Sequence, residues 1–248
     1  MKTYITKHYI FNYEVSSLAE KDIERIAKEQ ERCFEKICET LKVNYQDKIQ
    51  YYFLATPEEV GKLYGIDEPI NGFAACGENK IYAVYNENIK CIGPHEDTHI
   101  ISFIINMPKS SFIVEGLAMY FDEKWWGIDN EIWSAYYKEE NTELSIEKLF
   151  DNDHFESLNC EITYPLAVAF TKYLIDKFGI TKYIDLYKVK DDIKNNDFKR
   201  IFNYEIYELE TMFWKMISKI NYDKKIVELI LKNHSKWYLS INHLDKKF

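Results

Sequence analysis

In the stretch GPHEDTHIISF, residues 93 to 103, His95 and His99 stand four apart with Glu96 directly after the first. On an α-helix, residues i and i+4 share a face, so both imidazoles can aim at one point, while Glu96 lies about 100° round the axis. Two imidazoles so placed can hold a divalent ion, and the neighbouring carboxylate can reach a water beside it without displacing either. The same pair can equally be two helix histidines satisfied by their neighbours. A hydrolytic zinc site separates the two readings, because it needs a third protein ligand and a position left for water.

A third histidine at the spacing HExxHxxGxxH is excluded, since Ser102 and Ile105 occupy the positions concerned. Further on, SSFIVEGLAMYFDE offers Ser110 or Ser111 as a helix cap and places Glu115 among Phe112, Ile113, Val114, Leu117 and Ala118. A lone carboxylate in so apolar a helix needs a partner or a metal. Gly116 and Ala118 would let that helix approach a neighbour closely. Asp122, two turns beyond Glu115 on the same face, is either the group that orients a ligand imidazole or a solvated helix-end acid beside Glu123.

The elements that must carry these residues are legible in outline. Thr3 to Val15 reads as a strand, and Ser16 or Ser17 caps a long helix running to about Lys42. IQYYFLAT is a second strand; TPEEVGKLYG follows as a short helix with Thr56 at its cap, Pro57 in its first turn and Gly65 as its stop. GFAACG and KIYAVY, separated by GENK, read as a hairpin or a pair of short strands. From Ile92 the periodicity is helical almost throughout, with Ile92, Ile100, Phe103, Ile104 and Met107 as apolar contacts of the motif helix and Pro108 marking its end. The fold class is α+β: a mixed N-terminal sheet and helices over residues 1–90, then a mostly helical part over 91–248, the two forming one compact unit.

Composition narrows the function classes. The 248 residues are 46% hydrophobic and carry a net charge of -9 without a basic stripe, so neither nucleic acid nor an anionic membrane surface is an expected partner. The opening MKTYITKHYIFNYEV lacks the apolar run of a secretory signal, and the five cysteines lack CxxC spacing, which fits reduced thiols and a cytoplasmic location. His8, His154, His234 and His243 have no partnered spacing and read as structural or surface residues. KWWGIDNEIWSAYY reads as packing in preference to a groove wall; KVKDDIKNNDFKR is a solvated face, and YEIYELETMFWKMI a late helix on the core.

HEDTH, then VEGLAMYF, then TYPLAVAFTKYLIDKFG resemble the gluzincin zinc metallopeptidases, within them the small peptidase-MA-like proteins related to the thermolysin and aminopeptidase groups. The resemblance spans roughly residues 93 to 190. It implies a zincin-like fold and one zinc ion held by His95, His99 and Glu115. It further implies Glu96 as general base and proton donor to the leaving amine, and a peptide or protein substrate. Tyr164 occupies a place where the family often presents a tyrosine, which implies an oxyanion donor; without the resemblance it is one ring of twenty beside Pro165. An extended substrate would pair with an edge strand above the metal, for which KIYAVY is the candidate. The chain departs from the pattern in lacking a GxMEN-like segment that grips a free amine, and in having Val114 and the acidic Asp97 where relatives often have Asn and an apolar residue. The alternatives are a metallopeptidase scaffold that binds or regulates without cleaving, and a hydrolase of small molecules.

Overall fold

The computed structural model describes the backbone of residues 1–241 and the side chains of residues 1–234. The chain begins with a hairpin, β1 (Lys2–Ile5) against β2 (Tyr9–Tyr13), where one strand is predicted. The break falls at Thr6 to His8, whose backbone oxygens at Thr6 and Lys7 receive the Lys48 ammonium. No Gly, Pro or Asn announces this turn. The long helix α1 (Leu18–Leu41) starts at Ser17, whose side chain accepts from the Glu20 amide, and ends at Lys42 in a left-handed conformation.

After β3 (Ile49–Leu54), α2 (Pro57–Tyr64) opens with Thr56 and Glu59 capping each other reciprocally and closes on Gly65. The hairpin β4 (Gly72–Ala75) and β5 (Lys80–Val84) completes a five-stranded sheet in the order β1-β2-β3-β5-β4. Strands β2, β3 and β5 run parallel and the two flanking strands antiparallel. This corrects the assignment of KIYAVY as the edge. It pairs with β3 from Gln50↔Lys80 to Leu54↔Val84 and lies inside the sheet, so β4 is the edge on that side.

Alternation along the strands sends Tyr9, Phe11, Tyr51, Phe53, Ile81 and Ala83 into the core, where α1 covers them with Ile23, Ile26, Ala27, Phe34 and Ile37. The motif helix α3 (Pro94–Ser102) follows, then α4 (Ser111–Asp122). Helix α3 stops well short of Pro108. Ile105 and Asn106 turn back onto the Ser102 carbonyl, and the Asn106 amide holds the carbonyls of Tyr187 and Val189. Phe103, Ile104 and Met107 are consequently exposed at 39%, 50% and 64%, so the predicted apolar contacts reduce to Ile92 and Ile100.

Beyond α4 the described residues are mainly helical, with one short hairpin of two-residue strands, β6 (Lys124–Trp125) and β7 (Ile128–Asp129), turning through Trp126 and Gly127 at positive φ. The helices are α5 (Asn130–Glu140), α6 (Asn152–Ser157), α7 (Cys160–Phe178), α8 (Ile180–Tyr187), α9 (Asn195–Phe202), α10 (Ile206–Ile217) and α11 (Lys224–Ile241). Small residues draw α4 onto α7: a Cβ on Gly116 would lie 2.4 Å from Thr171 Oγ1 and 2.9 Å from the Ala167 carbonyl oxygen. Among the described residues, no helix is long and apolar enough to cross a membrane.

Candidate metal centre

Helix α3 buries Asp97, Thr98, Ile100, Ile101 and Ser102, while His95, Glu96 and His99 keep partial exposure along one stripe. This is the outcome of a short helix packed on most of its surface with one side left partly open. Helix α4 crosses α3 with Phe112, Ile113, Leu117 and Phe121 in the core and brings Glu115 to the open side.

There the predicted ligands come together. His95 Nε2 lies 3.3 Å from His99 Nε2 and 3.4 Å from Glu115 Oε2, and His99 Nε2 lies 3.8 Å from Glu115 Oε1. One ligand atom from each residue falls within 4.8 Å of the other two. Bonds of about 2.0–2.2 Å to a tetrahedral zinc set its ligand atoms roughly 3.3–3.6 Å apart, a spacing that the His95–His99 and His95–Glu115 pairs meet and that the 3.8 Å His99–Glu115 pair slightly exceeds. Glu115 Oε2 is buried and lies 3.4 Å from His95 Nε2 without a well-directed hydrogen bond, so a cation held between the two could satisfy its lone pair. The three side chains remain 13% to 23% exposed, enough for water to reach them.

Behind the first imidazole, His95 Nδ1 donates to Asp122 Oδ2 at 3.0 Å. Placing the proton on Nδ1 turns the Nε2 lone pair toward His99 and Glu115, the orientation a metal ligand needs. Of the two readings of Asp122, the geometry selects the one in which it orients the ring.

Glu96 stands beside the triad without touching its ligand atoms at hydrogen-bond distance, and burial pushes its carboxyl up to about 7, with the charges of Glu115 and Asp122 adding to the rise. His99 is pulled down to about 4 by burial. Burial also pulls at His95, but its hydrogen bond to Asp122 and its close contact with the Glu115 carboxylate outweigh it and hold the ring well above its ordinary range. Glu115 is held below its usual range because contact with the two histidines outweighs its burial.

Tyr164, on α7, stacks its ring on His95 with centroids 6.5 Å apart and planes 14° from parallel. Its phenol is raised far above the usual range by burial and by the Glu115 charge, so it remains a hydroxyl. Trp125 packs edge-on against Tyr164 at 6.0 Å, so this part of KWWGIDNEIWSAYY borders the site, whereas Trp133 is fully buried packing.

The edge strand β4 packs against α3 at Gly72, where a Cβ would lie 3.4 Å from Glu96 Oε1 and 2.6 Å from Cys91 Sγ. The hairpin strand at the sheet edge is therefore β4, whereas the sequence pattern pointed to KIYAVY. The signal available was Gly72 itself, since a glycine within a strand often marks a close approach. Sequence reasoning also missed the environment of Asp97, which is fully buried beneath the motif.

The remaining histidines lie elsewhere. His8 stacks on Phe34 and pairs with Glu31; His154 sits in the first turn of α6; His234 stacks on Trp126 at 4.1 Å; His243 lies outside the described residues. Two grooves, one of about 510 Å³ along Lys109, Phe150 and Asn195 and one of about 1160 Å³ along Tyr120, Lys172 and Met216, contain none of the predicted site residues.

Compared with known proteins, the chain matches no family model and no curated protein.

Proposed function

We propose that the chain is a zinc-dependent peptidase with a zincin-like, gluzincin-like site, in which His95, His99 and Glu115 hold one metal ion. The single observation that supports this reading best is the convergence, from two helices, of one ligand atom each from His95, His99 and Glu115 within 4.8 Å of one another. When bound, zinc would supply Lewis acidity toward a peptide carbonyl and toward water.

The protein groups take complementary parts. Glu96, with its carboxyl near neutrality, can accept a proton at one stage and return it to the leaving amine at another. Tyr164 retains its proton and can donate a hydrogen bond to an oxygen that gains negative charge. Asp122 fixes the tautomer and direction of His95. The free side of β4, beside Glu96, offers backbone donors and acceptors to an extended peptide.

Glu96→Gln tests the reading with little change of shape. The variant is expected to retain the zinc content of the wild type while hydrolysis of a broad peptide library falls by about 10²–10⁴-fold. Undiminished hydrolysis would overturn the role given to Glu96. A zinc-loaded wild type that cleaves no peptide would favour the non-catalytic binding alternative.

A further inference from the structure

On the side of α3 turned away from the ligands lies a polar cluster that the hydrolytic chemistry does not use. Asp97 follows His95 by two residues, about 200° round the helix, and so faces the sheet. It is fully buried. Tyr9 Oη on β2 lies 2.5 Å from Asp97 Oδ2, and Gln30 Nε2 on α1 lies 2.9 Å from the same oxygen. Tyr51 Oη on β3 donates to Oδ1 at 2.9 Å. Three elements thus converge on one carboxylate.

Gln30 extends the cluster to the start of the motif helix. It is fully buried in the middle of the apolar stripe of α1, where an aliphatic residue would pack at lower desolvation cost. Its amide brackets the main chain of one residue, accepting from the Gly93 N–H at 2.8 Å and approaching the Gly93 carbonyl oxygen at 3.0 Å. Gly93 is the residue immediately before α3. The main-chain oxygen of Gln30 lies 3.0 Å from Tyr9 Oη as a second acceptor for the same hydroxyl proton.

A buried charge network of this kind contributes little net stability compared with apolar packing of the same volume. It does impose direction, because each hydrogen bond tolerates only a narrow range of distance and angle. We propose that Asp97, Gln30, Tyr9 and Tyr51 form a clamp that fixes the rotation and height of α3, making them positioning residues for His95, Glu96 and His99. The inference rests on the hydrolytic reading of that site. A displacement of about 1 Å at reacting groups can cost about 10²-fold in rate, so the clamp acts on catalysis without touching metal or substrate.

Tyr51→Phe and Gln30→Met each remove clamp bonds at nearly constant volume, and Asp97→Leu and Asp97→Asn form a contrasting pair. The readouts are the zinc dissociation constant by chelator competition, amide exchange across residues 93–99 in metal-free protein, and kcat and KM measured separately. Tyr51→Phe and Gln30→Met are expected to keep the wild-type circular dichroism but to bind zinc about tenfold or more weakly. Their amides over 93–99 should exchange faster, and kcat should fall with KM little changed. Asp97→Asn, which keeps an acceptor, should retain more zinc affinity and kcat than Asp97→Leu; should the latter not fold, Tyr51→Phe and Gln30→Met decide. Folded variants that melt earlier yet bind zinc and turn over like the wild type would overturn the clamp alone. A wild-type chain that takes up no zinc would overturn the hydrolytic reading, and the clamp's purpose with it.

Discussion

Glu96 carries the sharpest consequence at the scale of single residues. Its folded-state value of about 7 lies above the ordinary 4.5, so the folded chain holds that proton more tightly than the unfolded chain. The resulting stabilisation is complete below the ordinary value and is lost as pH rises through about 7. In metal-free protein, the difference in Tm between wild type and Glu96→Gln should therefore move in favour of the wild type as pH falls from about 8 to about 5. His99, pulled down to about 4, acts in the opposite sense, but it is present in both chains and does not alter the sign of the difference. Thermal melts in the presence of a chelator measure this directly, and a flat or reversed difference would mean that Glu96 is not raised by burial. The candidate site was legible at this scale because chemistry restricts residue type: a paired histidine, a following glutamate and a charged residue in an apolar helix each need a reason. Asp97 was legible only as an oddity, since the tyrosines and glutamine that receive it come from three distant segments.

Helix caps and packing faces explain which elements could be read in advance. Ser17, Thr56 with Glu59, Pro57 and Gly65 carry local signals, and α1 and α2 begin and end where those signals place them. The turn between β1 and β2 carries none, and neither does the early stop of α3, which depends on Asn106 reaching the carbonyls of α8 and the residues after it. The choice of β4 over β5 as the edge depends on pairing with β3, a contact between strands that no local pattern encodes. Packing of α4 on α7 makes a prediction at the scale of elements. Gly116→Ala places a methyl group 2.4 Å from Thr171 Oγ1 and 2.9 Å from a backbone oxygen, so α4 must move. Overpacking of this kind costs about 1–3 kcal/mol, and Tm should fall accordingly. Because Glu115 is the preceding residue, zinc affinity should fall with it; an unchanged Tm would show that the two helices separate without cost.

Across the whole molecule, the sheet and the helices share one hydrophobic core, with Tyr9, Tyr51 and Ile81 from the first part joined to Ile100, Phe112, Leu117 and Phe170 from the second. The α+β class and the order of a mixed N-terminal sheet before a helical remainder followed from patterning, because alternation and 3.6-residue periodicity are local properties. Placing Glu115 beside His95 and His99 required the crossing of α3 and α4, which is a property of the assembled core. What remains decisive is whether the three side chains hold a metal. Elemental analysis of protein purified without chelator should give one zinc per chain in the wild type and almost none in His95→Ala or Glu115→Ala. A folded wild type free of zinc after incubation with the ion, or equal zinc in all three proteins, would contradict the account.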